Sequence, residues 1–268
     1  MKRRTIIVII LVLLTFTGCT AAEVSVGPKK EVIAYDENVM KADHSRNLEI
    51  ISDYSHIEIY AWDKKELKME TMKKLRGTYT EDVLKKNMER YEFKVEEKEG
   101  KIIAKSGYTG KINNPADRNI SVKVYVPKNI TEIRLEVGAG TIKVLDDIRC
   151  DFNLETKAAN IEINRFQGRL TSKSDLGNLR IAAGRLKNGS NVFSNMGNIS
   201  VKADFERNGS YSFETRMGNI ELQLPDKLTA AVDCIGNVEI NEFTGSVDDT
   251  KIKLQSGMGK ITALKYHP

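Results

Sequence analysis

Leu176-Gly177-Asn178-Leu179-Arg180-Ile181, Met196-Gly197-Asn198-Ile199-Ser200-Val201 and Met217-Gly218-Asn219-Ile220-Glu221-Leu222 are three copies of one short pattern. A fourth, Ile235-Gly236-Asn237-Val238, extends it, as do three looser copies at Gly140-Thr141-Ile142, Ala159-Asn160-Ile161 and Gly259-Lys260-Ile261. The triplets begin at 140, 159, 177, 197, 218, 236 and 259, at intervals of 18 to 23 residues. Two and four residues after each start stand apolar side chains, with a mixed polar position between them. Alternation with a period of two describes short strands with one buried face. A period of about 20 residues, held over seven copies, marks units that bury their apolar face only by stacking.

Stacking brings equivalent side chains about 4.8 Å apart, so each column becomes a ladder. One column holds Asn160, Asn178, Asn198, Asn219 and Asn237; another holds Thr156, Ser174, Ser194, Thr215 and Ser256. Amide and hydroxyl ladders of this kind hydrogen-bond along a stack. The expected fold is all-β, a β-solenoid of roughly 20-residue repeats. An aliphatic interior accounts for an aromatic content of only 7%. The segment Leu48–Ile59 fits the same template around Ser55. An insertion follows: Thr80 caps a short helix, Phe93–Glu97 and Lys101–Lys105 flank Glu99-Gly100 as a hairpin, and Ile120 to Val126 alternate as a strand. The helix is expected to cover the open end of the stack.

The first 18 residues read differently. Lys2, Arg3 and Arg4 precede an apolar run from Ile6 to Phe16, broken only by Thr15. Small residues and a cysteine follow, Thr17-Gly18-Cys19. This is the layout of an export signal, and the run is too short for the roughly 20 residues that span a bilayer. With Cys19 directly after Gly18, the segment resembles the bacterial lipoprotein signal, although Phe16 stands where that family prefers Leu. The resemblance implies cleavage before Cys19 and lipidation of its thiol, with a membrane as the partner of the anchor. It makes residues 1–18 a lipoprotein signal peptide, 19–46 a tether with a short strand, and 47–268 the folded domain. Of the net charge of +5, three positive charges lie in the signal, which leaves +2. That balance gives no case for a nucleic-acid partner.

The early strand pair, the helix-containing insertion, the alternating strand ending in Val126-Pro127 and the Gly-Asn-aliphatic array together resemble the putative adhesin family. Its members are uncharacterised β-strand-repeat domains, and the likeness covers roughly residues 47 to 266. It implies a right-handed β-helix or roll that is extracytoplasmic or membrane-attached. It carries over no catalytic residue.

Chemistry-bearing clusters are scarce in the sequence. His44, His56 and His267 are scattered, which argues against a metal centre or histidine catalysis. Gly257-Met258-Gly259-Lys260 looks like a phosphate loop, but position 254 is Leu and Lys260 precedes Ile261. Cys150 and Cys234 fall on different faces of the repeat, so no bridge between them is expected. No cofactor is expected. The reading is a non-enzymatic, lipid-anchored protein of the cell envelope presenting a binding or adhesion surface to an envelope glycan or protein. Two alternatives stand beside it: a structural or stress-linked envelope component that self-associates, and a polysaccharide-active enzyme.

Overall fold

Among the described residues, buried and exposed positions alternate along most strands, and one short helix interrupts them. The computed structural model describes residues 7–9, 28–42, 47–109, 117–243, 245 and 249–267. Cys19 lies outside the described residues. Among the described residues no helix is long and apolar enough to cross a membrane.

The N-terminal half assembles two sheet faces around the long strand β3 (Asn47–Trp62). A three-residue strand β1 (Ile7–Ile9) and the twelve-residue β2 (Lys30–Lys41) pair antiparallel. Along its whole length β2 also pairs with β4 (Glu66–Gly77). The stretch read as a tether with a short strand therefore contributes a full strand. Helix α1 (Glu81–Met88) packs Leu84 and Met88 onto β2 and β4. Thr80 takes the N-cap position with extended backbone, but its side chain makes no capping bond. The hairpin of β5 (Tyr91–Lys98) and β6 (Lys101–Tyr108) turns at Glu99 and Gly100, both with positive φ. The first half of β3 runs parallel to β6, its second half parallel to β7 (Asp117–Pro127). Both halves pair with β8 (Glu132–Ile148), where Ser55 faces Gly140 and Ile57 faces Ile142.

The repeats form β8, β9 (Asp151–Gly168), β10 (Leu170–Leu176), β11 (Leu179–Ile181) and β12 (Gly184–Leu186). They continue as β13 (Asn191–Met196), β14 (Ile199–Lys202), β15 (Asp204–Phe205), β16 (Ser210–Met217) and β17 (Ile220–Pro225). The last two are β18 (Ala230–Asn241) and β19 (Thr250–Tyr266). All pair in parallel.

Two features correct the expected right-handed β-solenoid. First, the hydrogen-bonded array closes on itself. β9, β10, β13, β16, β19, β17, β14 and β11 each pair with the next, and β11 returns to β9, which makes an eight-stranded parallel β-barrel. The cause is strand length. β9 and β19, of eighteen and seventeen residues, pass through their corners and pair with one ladder by their first half and another by their second. Second, the copies do not stack in sequence order. β19 inserts beside β16 and β17, and β18 pairs with the far side of β19.

The barrel interior holds Ile161, Leu179, Ile199, Ile220 and Ile261 in one ladder, and Leu154, Ser172, Val192, Phe213 and Leu254 in another, all buried. Fully burying one such apolar side chain contributes about 1.5–3 kcal/mol, so these columns dominate the energetics. The interior is not purely aliphatic, however. Phe152, Phe166, Phe205 and Phe213 are the largest fully buried side chains of the described core, and Phe152 meets Phe166 edge-on at 5.2 Å.

Most corners carry a glycine, although Ala159 and Ser55 hold the equivalent places in β9 and β3. Gly177 has φ +126°, and a Cβ there would stand 2.1 Å from the carbonyl oxygen of Ala159 on the adjacent strand. Next to it the asparagines bond along the stack. The backbone N–H of Asn178 donates to Asn160 Oδ1 at 2.9 Å, that of Asn198 to Asn178 Oδ1 at 2.8 Å, and that of Lys260 to Asn219 Oδ1 at 2.8 Å. Asn237 lies opposite Lys260 on β18. Inside, Thr156 donates to Ser174 at 2.9 Å, while Thr215 and Ser256 donate to the carbonyls of Gly197 and Gly218.

Candidate functional site

Five strands in the order β2, β4, β7, β3, β8 share one outward face, and their register aligns its side chains in rows. The first row is Tyr35, Met72, Ser121, His56 and Thr141. The second is Glu37, Glu70, Lys123, Glu58 and Lys143; the third is Val39, Lys68, Tyr125 and Tyr60. The first two rows and Val39 line a groove of about 1100 Å³, together with Asp36, Asn38, Met40, Thr71 and Val122 at the intervening positions and Val95 of β5.

Charge alternates across the second row only from Glu70 onward, and the remaining like-charged pair is bridged. Lys68 Nζ lies 3.1 Å from Glu37 and 2.7 Å from Glu70. Hydrogen bonds to Glu70 and then Glu37 raise the Lys68 pKa. Lys143 reaches Glu162 at 3.7 Å. Lys123, between Glu70 and Glu58 in register, is exposed and makes no ion pair among the described residues. It is the cation of the groove left available to a ligand.

Beyond the groove lining, the third row carries an aromatic cluster next to Glu58 and Glu70. Tyr60 stacks on Tyr125 at 5.1 Å, and Trp62 lies 5.4 Å from Tyr125. Lys64 lies over the Trp62 ring at 4.8 Å and Lys68 over Tyr125 at 5.6 Å. The Tyr60 hydroxyl donates to Glu58 at 2.9 Å and that of Tyr125 to Glu70 at 3.4 Å. Burial first, then the hydrogen bond to Glu58, pushes the Tyr60 pKa up to about 12, so its hydroxyl keeps its proton in neutral solution. On the opposite side His56 Nδ1 and Thr141 Oγ1 are 2.8 Å apart, and Tyr54 meets the imidazole edge-on at 5.6 Å. No carboxylate orients that ring among the described residues, so the His–Thr pair lacks the third member of a nucleophile–base–acid relay.

Of the histidines singled out in the sequence, only His56 enters the groove. His267 pairs with Asp226 at 2.8 Å, and His44 lies outside the described residues. No group of three His, Cys, Asp or Glu residues is placed to hold a metal among the described residues. Gly259 and Lys260 belong to the corner of β19. Cys150 is buried, Cys234 is half-buried, and both are free thiols. Sequence reasoning did not reach the groove. The signal that could have found part of it is the alternation of Leu67, Met69 and Thr71 in β4, whose outward partners are Lys68, Glu70 and Met72.

No family model matches the chain, and no curated protein matches it. Among solved structures the chain is similar to a putative cell adhesion protein from Clostridium sporogenes, at 14% identity over 87% of this chain and 99% of that one, with a TM-score of 0.41. It is similar to a putative adhesin from Parabacteroides distasonis at 12% identity, over 87% and 97% of the two chains, with a TM-score of 0.44. A putative lipid binding protein from the same species matches at 11% identity over 87% and 96%, with a TM-score of 0.38. Likenesses this slight carry no argument about ligand or activity.

Proposed function

We propose that this chain is a non-enzymatic binding protein of the cell envelope, lipid-anchored at Cys19, whose outward groove takes an extended, hydroxyl-rich partner such as an envelope glycan. The observation that carries the reading is the placement of Lys123. A cation that is exposed and without an ion pair among the described residues stands mid-groove between Glu70 and Glu58, with the Tyr60–Tyr125 stack in the next row and the His56–Thr141 pair in the row before. Closely spaced donors and acceptors beside aromatic side chains suit sugar hydroxyls and the apolar faces of sugar rings. The export signal and Cys19 support the address, since two or three acyl chains at about 0.8 kcal/mol per buried CH₂ hold a protein at a membrane.

Trp62 is the sole tryptophan, and its ring lies 5.4 Å from Tyr125, whose hydroxyl bonds to the groove residue Glu70, so its fluorescence responds to changes at the groove. Titration with envelope glycan fractions should shift its emission, and Lys123→Ala should weaken the response about tenfold, the loss of one charge-assisted contact. A Trp62 signal unmoved by every glycan fraction would sink the glycan reading. Separately, Cys19→Ser should move the protein from membranes to the soluble fraction. Unchanged membrane retention would remove the lipid anchor.

A second reading has its own support. Among the described residues β18 pairs with β19 alone, and Ile235, Val238 and Ile240 on it are each more than 40% exposed. A terminal strand with an open edge and apolar side chains favours self-association. Sedimentation over a concentration series decides it, and a persistent monomer counts against it.

A further inference from the structure

The residue one before each corner is apolar in every copy, running Ala139, Ala158, Leu176, Met196, Met217, Ile235 and Met258 along the sequence. The order in space is different, because β19 lies between β16 and β18. Leu176 faces Met196, Met196 faces Met217, and Met217 faces Met258. Three methionines thus occupy successive rungs, and Ile235 is displaced to the end strand. Backbone bonds hold that stack in place. The carbonyls of Met196, Met217 and Met258 accept the N–H groups of Gly177, Gly197 and Gly218 at 3.0, 2.9 and 2.8 Å.

Their side chains point outward. Met196, Met217 and Met258 are 43%, 44% and 62% exposed, whereas Met69 and Met88 are buried. Three of the chain's eight methionines therefore line up on one exposed edge. Leu176 in the same column shows that an apolar cover for the corner does not require sulfur. Arg216, the charged neighbour of Met217, is drawn over the Phe193 ring at 5.8 Å.

We propose that Met196, Met217 and Met258 form a thioether site for a soft monovalent metal ion of the Cu(I)/Ag(I) class. Thioether sulfur is a soft, uncharged donor that selects such ions over the harder divalent metals. Rungs about 4.8 Å apart place neighbouring side chains within mutual reach. The three rotatable bonds of methionine let two adjacent sulfurs turn onto one ion. Met217 is the essential member. It neighbours both others, whereas Met196 and Met258 stand two rungs apart, roughly 10 Å, too far to share an ion.

The test uses the Cys19→Ser, Cys234→Ser chain, so that no accessible thiol competes, with Ag(I) as the probe and ¹³C-methyl methionine spectra as the readout. Three of the methyl signals should shift together on adding one equivalent. Met217→Leu should weaken binding at least tenfold, and Met196→Leu or Met258→Leu less, because each leaves an adjacent pair. Leucine is native to this column, and the remaining methyl signals show whether each variant is folded. The proposal is overturned if the three signals stay in place at saturating Ag(I), or if Met217→Leu binds Ag(I) as the parent does.

Discussion

Asn198 Oδ1 accepts the backbone N–H of Asn219, one rung away and 21 residues along the chain, at 2.8 Å. A side chain here does what a neighbouring carbonyl does elsewhere in a parallel sheet, at a corner where the ladder would otherwise break. Asn198→Ala should therefore lower stability by about 1 kcal/mol, the net worth of one hydrogen bond. Asn198→Asp keeps the acceptor and should lose less. Urea unfolding midpoints of the two variants make the comparison, and equal losses would count against the bond.

Gly218 pairs positive φ with close approach. Its φ is +153°, and a Cβ would stand 2.1 Å from the carbonyl oxygen of Gly197. Gly100, in the β5–β6 turn, has φ +71° but nothing within 4 Å. Gly218→Ala should cost about 2–3 kcal/mol, because backbone on both strands must move. Gly100→Ala should cost about 1 kcal/mol, from the unfavourable φ alone. Thermal melts that rank the two in the opposite order would refute this account of the corners.

The two thiols should react unequally. Burial, followed by the nearby carboxylates of Asp151 and Glu132, pushes the Cys150 thiol up to about 12, and burial also raises Cys234, which stays half-exposed. Only the thiolate is nucleophilic, so at pH 8 iodoacetamide should label Cys234 slowly and leave Cys150 untouched until the chain unfolds. Peptide mass mapping of a time course reads this. Labelling of Cys150 in the native protein would contradict its burial.

Glu214 accepts hydrogen bonds from Lys253 Nζ at 2.9 Å and from the Ser212 hydroxyl at 2.8 Å, which lowers its pKa below the ordinary 4.5. A depressed carboxylate stabilises the fold fully above its unfolded-state value. That contribution is lost as pH falls through the lower folded value. Since both partners are partly exposed, the amount is below about 1 kcal/mol. Glu214→Gln should be less stable than the parent at pH 7, with the gap closing in acid below about pH 4. A gap that widens on acidification would reverse the assigned sign.

Period-two alternation is a local property, so the Gly-Asn columns made β8 to β19 readable, and Leu48–Ile59 did the same for β3. What depends on partners far along the chain was not legible. Nothing in the spacing says that Met258 sits beside Met217, or that β9 and β19 run through their corners and close the barrel. Phe152, Phe166 and Phe205 lie outside the aliphatic columns, so the aromatic part of the interior went unread. The strand β2 hid for another reason. Its partly buried inward positions include Asp36 and Asn38 after Val32 and Ala34, which blurs the apolar alternation. The groove combines both difficulties, since its rows join side chains from five strands.

The spacing of contacts also orders the way this chain folds. Thr156 and Ser174 are 18 residues apart, and Asn178 and Asn198 are 20 apart, so most repeats close a short loop onto a neighbour, while Lys260 reaches Asn219 across 41. His56 and Thr141 meet across 85 residues. Closing a longer loop costs more chain entropy before any contact is gained, which favours short-range zippering of the repeats before the five-stranded face comes together. The groove is then among the last features of the molecule to form, completed only when strands far apart in the chain have met.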